Sequence, residues 1–223
     1  MDEQYGSLVS SRADFDKLRV DPAFRTLVKL ARAVNAVLFC QMVLLENITD
    51  NDDTPAQQRK RLNAFLYLSA VLYEAVALAK GELGRHFREL EVFKSSFPSL
   101  FRDAQVDRLV EQVLKRLRNH GVFHFTDEAI PDGLQDLQQD AYVFACGYGV
   151  ETGQVYYSLA DEATFRAALG LKGTREEIDT QLKQFIVETT RLSQRFCDAS
   201  NKLIAYVLAE PPWSIREDEP STA

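Results

Sequence analysis

The chain has 223 residues, 46% of them hydrophobic and 26% charged, with a net charge of −7. That is the composition of an ordinary globular domain and excludes intrinsic disorder for the bulk of the chain. Gly and Pro number only 10 and 7, so turn formers are scarce and long helices are favoured over many short strands. The acidic balance repels phosphate backbones at long range, which excludes indiscriminate coating of nucleic acid but leaves room for a local basic site. The cysteines, Cys40, Cys146 and Cys197, are odd in number and widely spaced, which suits neither a disulfide framework nor a zinc clip. A reducing, cytoplasmic location is the expectation. The first residues, MDEQYGSLVS, lack the pattern of a secretory signal. The longest uncharged apolar stretch, Ala33 to Leu45, is too short to span a bilayer, so no membrane partner is expected.

Residues 1–20 read as an N-terminal extension. Asp21-Pro22 then places an N-cap before a proline at the first helical position. The helix that follows carries Leu27, Leu30, Val34, Leu38, Met42 and Leu45 at three- and four-residue spacing and stops near Ile48. Being apolar all round from Ala33 to Leu45, it is expected to be central and buried. Thr54-Pro55 with Gln57 repeats the start as a capping box. It opens a second helix over about 55–82, with Leu62, Phe65, Leu66, Ser69, Leu72, Val76 and Leu83 as its stripe. Glu74 stands alone in the otherwise uncharged run Leu62 to Ala79. It is either a surface or hydrogen-bonded carboxylate, or a polar residue facing a site or a dimer interface.

A shorter helical piece spans Arg85 to Phe93. A third helix is expected from near Ser99 to about 118–120, with Val106, Leu109, Val110, Val113, Leu114 and Leu117 inward and Gly121 interrupting it. Residues 126–140 hold five acids and no base and read as a solvated loop. Alternation from Tyr142 to Tyr148 and β-prone residues from Gln154 to Ser158, joined by Glu151-Thr152-Gly153, read as a β-hairpin insert at about 141–158. Asp161 to Leu169 reads as a short helix closed by Gly170. Thr174 with Glu177 caps a last long helix to about Ala209, and residues 211–223 read as an acidic, disordered tail. The fold class is therefore mainly α: a four-helix-bundle-like core of long helices in one domain, 21–210, with the hairpin and short helices added.

Chemistry concentrates in LKRLRNHGVFHF, residues 114–125, which holds two of the three histidines, His120 and His124, beside Lys115, Arg116, Arg118 and Asn119. Extending the third-helix stripe seven residues from Leu117 lands on His124, while Arg118 sits at the flank of that stripe. On an ideal helix Arg118 and His124 lie about 120° apart, so they would converge only across a broken helix end or across a two-fold axis between two chains. The i, i+4 spacing of the two histidines can chelate a metal, but no cysteine is near and Gly121 weakens the helix, so no metal and no cofactor are expected. The bland alternative for His124 is a core histidine bonded to a backbone carbonyl. Phosphate-loop, GxSxG, HExxH, CxxC and EF-hand patterns are absent.

Arg118-Asn119-His120-Gly121-Val122-Phe123-His124 resembles the R-x4-6-H motif of the HEPN superfamily, with five intervening residues. The motif is short, and the resemblance covers 106–125 as motif and 20–209 as architecture; the hairpin departs from the minimal family bundle. The resemblance implies a metal-independent endoribonuclease of toxin or defence type, in which two protomers bring their Arg and His residues into one cleft. His124 would move the proton of the ribose 2′-hydroxyl or of the leaving 5′-oxygen, a role suited to a group titrating near neutrality. Arg118 would hold the scissile phosphate, Asn119 would orient it, and His120, Arg116 and Lys115 would be auxiliary substrate contacts. The implied partners are a second copy of the chain, RNA and a cognate antitoxin. Other readings stay open: a non-catalytic HEPN-like dimer binding RNA, a nucleotide or a protein; a helical interaction module with no site; and a small-molecule pocket among Tyr67, Tyr73, Tyr142 and Tyr148.

Overall fold

A computed structural model describes residues 8–9, 12–49, 55–122, 158–171, 173–209 and 216–217. Within them the chain is mainly α-helical. Helix α1 (Arg12–Leu18) lies in the segment read as an extension. It is followed by α2 (Pro22–Thr49), α3 (Pro55–Leu78), α4 (Gly84–Phe87), α5 (Glu91–Ser96), α6 (Pro98–Phe101), α7 (Ala104–Arg108), α8 (Ser158–Leu169) and α9 (Arg175–Ala209). Leu8–Val9 pairs antiparallel with Arg216–Glu217, joining the N-terminal segment to the tail by two residues each. The expected hairpin at 141–158 lies outside the described residues, as do the 126–140 loop, Cys146 and His124; Ser158, read as β-prone, instead opens α8.

The helix starts follow the sequence. Asp21 Oδ1 accepts the amide hydrogens of Ala23 and Phe24 at 2.7 and 3.2 Å, which satisfies two N–H groups that α2 leaves without helical partners. At α9 the capping box is reciprocal: Thr174 N–H donates to Glu177 Oε2 at 2.8 Å and Glu177 N–H donates to Thr174 Oγ1 at 3.4 Å. Gly170, at φ +62°, closes α8, and the Leu171 amide reaches back to the Arg166 carbonyl at 3.0 Å.

The third helix starts later than its sequence suggests. Chain direction breaks at Arg102, and Asp103 caps α7 by accepting the Gln105 amide at 3.0 Å. From there the helix runs on through π-helical turns Leu109–Leu114 and Leu117–Val122, so Gly121 does not interrupt it. A further π turn, Ala79–Leu83, joins α3 to α4.

Helix α2 packs along α3, α9 packs on α2, and the π turns after α7 pack on α3 and α8. The core between them contains Leu30, Val37, Phe65, Leu68, Leu72, Phe97, Leu114, Leu117, Phe196 and Leu203, each fully buried. All six stripe residues of the third helix are buried, as expected. Helix α2 differs from expectation. Its Thr26, Leu27, Leu30, Val34, Ala36, Val37 and Cys40 are covered, while Leu38, Phe39, Met42 and Leu45 are 44–63% exposed. An all-round apolar run states what a helix could bury; the number of neighbours decides what it does bury, and among the described residues α2 has them on one side only. The stretches Pro22–Leu45 and Arg59–Phe87 also have the length and apolarity to cross a bilayer, a test that core helices pass as well.

Candidate functional site

Arg118 and Asn119 of the motif lie where α3 packs on the π turn Leu117–Val122. Leu117 is fully buried and anchors the turn; Arg118 and Asn119 follow it, half-buried. Arg118 Nε donates to Glu74 Oε1 at 3.0 Å, and Arg118 Nη1 donates to Asn119 Oδ1 at 3.0 Å. The lone carboxylate of the second helix is thus the residue that holds the arginine of the motif. The side chains of Arg118 and Glu74 are 35% and 55% exposed, so the pair sits at the surface edge of the helix packing and not inside it.

The helix around them carries π turns: the Lys115 amide donates to the Val110 carbonyl, five residues back instead of four. The buried stripe nonetheless continues to Leu117, and Arg118, next along the chain, reaches Glu74 on α3.

The auxiliary residues divide. Lys115 donates to Glu111 Oε2 at 3.0 Å, and that hydrogen bond, with the charge of Glu111 and the nearby Tyr73 ring hydroxyl, raises its pKa above the ordinary lysine value. Arg116 does not join it: its guanidinium lies over Gly170, where a Cβ would come within 3.6 Å of Nη1. There it serves the C-terminal end of α8, where a cation is favoured by the helix dipole. The backbone of His120 belongs to the same π turn as Arg118, while its side chain and all of His124 lie outside the described residues. Of the four tyrosines of the pocket reading, Tyr67 is exposed, Tyr73 packs partly buried against the core, and Tyr142 and Tyr148 lie outside the described residues.

Residues that sequence reasoning did not connect to the site line a groove of about 370 Å³ between α2 and α3, formed by Lys29, Arg32, Tyr67, Val71, Glu74 and their neighbours. Lys29 is held by Glu82 at 2.7 Å, and this bond pulls the Glu82 carboxyl below its usual range. Tyr67 also lines a second opening of about 620 Å³ further along the same two helices, with Phe39, Arg59, Lys60 and Asn63. The only signal available in the sequence was the isolation of Glu74. Arg118 is a planar cationic donor fixed by a carboxylate and an amide, and that carboxylate, Glu74, lines the groove. That is a means of binding an oxyanion such as a phosphate.

No family model, curated protein or solved structure matches this chain significantly.

Proposed function

We propose that this chain is a HEPN-like domain, a four-helix-bundle-like core with a hairpin insert near 141–158, that acts as a metal-independent endoribonuclease of toxin or defence type. The observation that carries this reading is the placement of Arg118 and Asn119 side by side on a π-helical turn, held by Glu74 at the rim of a groove. π turns inside α-helices recur at functional sites. In the proposed reaction His124 takes the proton of a ribose 2′-hydroxyl, the 2′-oxygen attacks the adjacent phosphorus, and the 5′-oxygen leaves with a proton. The products are a 2′,3′-cyclic phosphate and a 5′-hydroxyl. Arg118 carries the charge that builds on the phosphoryl oxygens, and two protomers supply their Arg and His residues to one composite cleft. The reading places the protein in the cytoplasm, with a cognate antitoxin as its natural restraint.

The test is cleavage of total RNA in EDTA by wild type, His124→Ala and Arg118→Ala. Cleavage by wild type alone, leaving cyclic phosphate ends, supports the reading; equal cleavage by all three refutes it. A second reading draws on the same ion pair. An arginine engaged by both a carboxylate and an amide is also how a helix end is fastened, and the domain would then be a non-catalytic dimeric module that binds RNA, a nucleotide or a protein. On that reading no preparation cleaves, and Arg118→Ala lowers thermal stability.

A further inference from the structure

We propose that a second copy of this chain docks on the outward face of α2, helix against helix and antiparallel, about a two-fold axis. The interface is argued from α2 alone and does not rest on the ribonuclease reading.

The first observation is a second apolar period. Val28, Ala31, Asn35, Leu38, Met42 and Leu45 follow one another at spacings of three and four, the a and d positions of a heptad pattern. This stripe is separate from the buried one of Leu27, Leu30, Val34 and Val37, which packs within the chain. A helix on the surface of a bundle needs one apolar stripe, and α2 has two. The second remains in water: Leu38, Met42, Val28 and Leu45 are 44, 50, 53 and 63% exposed. A mean spacing of 3.5 residues is that of two helices wound on each other, and a bilayer sets no such period.

The second observation is size. The N-terminal half of the seam holds Val28, Ala31 and Asn35, and the C-terminal half holds Leu38, Met42 and Leu45. Antiparallel pairing sets Val28 opposite Leu45 of the second copy, Ala31 opposite Met42 and Asn35 opposite Leu38. Every layer then joins a smaller side chain to a larger one. Parallel pairing would stack alanine on alanine in one layer and methionine on methionine in another, a void beside a bulge. A seam that complements its own reverse is what a two-fold contact between identical chains requires. The axis passes between the two central layers, so the Asn35 side chains of both copies fall in adjacent layers and can bond amide to amide. One polar residue at such a position fixes register.

Area and charge agree. Side chains of this size, about half exposed, leave roughly 80–110 Å² each in water, so the four large seam residues and Phe39 make about 450 Å² of apolar stripe. Asn35, Arg25 and Arg32, all exposed beside it, bring the covered surface toward the about 800 Å² per partner of a standard interface. The bases of α2, Arg25, Lys29 and Arg32, lie in its N-terminal half, and its one acid, Glu46, lies in the last turn. Lys29 is engaged by Glu82. Reversal carries Arg25 toward the C-terminal end of the second α2, where the helix dipole is negative, and Arg32 toward Phe39. Arg32 and Phe39 also line the openings between α2 and α3, so the antiparallel pair brings the grooves of both copies to one side of the dimer.

The experiment uses the full chain and sedimentation velocity across a dilution series. Wild type should sediment as a dimer that dissociates on dilution. Leu38→Glu combined with Met42→Glu should raise the dimer dissociation constant at least about 100-fold, because each charge is buried twice per dimer. Val187→Glu, at an exposed apolar position on α9, should leave it unchanged. All three positions are exposed in the single chain, so circular dichroism and Tm of the dilute proteins should match wild type. Orientation is read in a Cys146→Ser background, which also tests the face without the glutamates. Val28→Cys mixed with Leu45→Cys should give a disulfide-linked dimer on mild oxidation, and Val28→Cys alone should not. A wild type that is monomeric throughout overturns the proposal, as does a dimer that Leu38→Glu with Met42→Glu leaves intact. Linking of Val28→Cys to itself overturns the antiparallel arrangement. A monomer that adsorbs to phospholipid vesicles until Leu38 and Met42 are replaced assigns the face to a bilayer and overturns the dimer. A dimer of the expected kind in a preparation that cleaves no RNA leaves the interface standing while the ribonuclease reading falls.

Discussion

Glu74→Gln separates a working arginine from a fastening one. The substitution keeps a side-chain oxygen of the same reach, so Arg118 Nε can still donate to it, and removes only the charge. Because the two side chains are 35% and 55% exposed, the ion pair belongs to the surface class, worth about 0–1 kcal/mol. In a domain of this size that is a fall in Tm of no more than about 4 °C. A phosphate docked on the far side of the guanidinium would lie about 6 Å from the Glu74 carboxylate. Their repulsion there is about 0.7 kcal/mol in water-like surroundings, so its loss should tighten anion binding about 3-fold. The assay pairs thermal unfolding with oligonucleotide binding by the same preparation. The expected result is a small change in Tm with tighter binding. A fall in Tm above about 8 °C together with weaker binding would refute the reasoning and assign Arg118 to holding the helices together.

Phe97→Ala removes a fully buried ring stacked on Phe93 at 5.0 Å and should cost about 3–5 kcal/mol, read by chemical or thermal unfolding; a loss below about 1 kcal/mol would mean that this corner repacks freely. Burial pushes the Cys40 and Cys197 thiols up to about 11 from 9.0, so both should resist a thiol reagent at pH 8 until the chain is unfolded. Raised thiol values favour the folded state below the unfolded pKa, so stability should decline as pH rises from about 9 toward 11; a flat profile there would contradict the burial. The Thr174 amide and hydroxyl hold the Glu177 carboxyl below its ordinary 4.5. A depressed carboxylate stabilises above its unfolded pKa and loses that effect as pH falls through the folded value. The Tm difference between wild type and Glu177→Gln should therefore be present at pH 7 and vanish in acid, and a pH-independent difference would show that the cap acts through something other than charge.

What could be read from the sequence was whatever local rules decide. Asp21, the Thr174–Glu177 box and Gly170 act on their own backbone, and each was found where its residue type placed it. The inward stripe of the third helix was legible because one hydrophobic period held from Val106 to Leu117. Its start was not, because Ser99 and Asp103 are both good caps and only the turn at Arg102 chooses between them. The exposure of Leu38, Phe39, Met42 and Leu45 was not legible either, because apolarity says nothing about how many neighbours arrive.

The site was half legible for a more particular reason. Arg118 and Asn119 were visible as a motif, and Glu74 as an isolated charge, but no spacing rule joins residues 44 positions apart. What joins them is the packing of the turn Leu117–Val122 on α3, which leaves no residue-type signature. Gln112 and Glu111 stand where an ordinary amphipathic helix would put them, exposed. Packing between two helices, which no spacing within one segment encodes, therefore sets where the arginine of the motif stands relative to the groove.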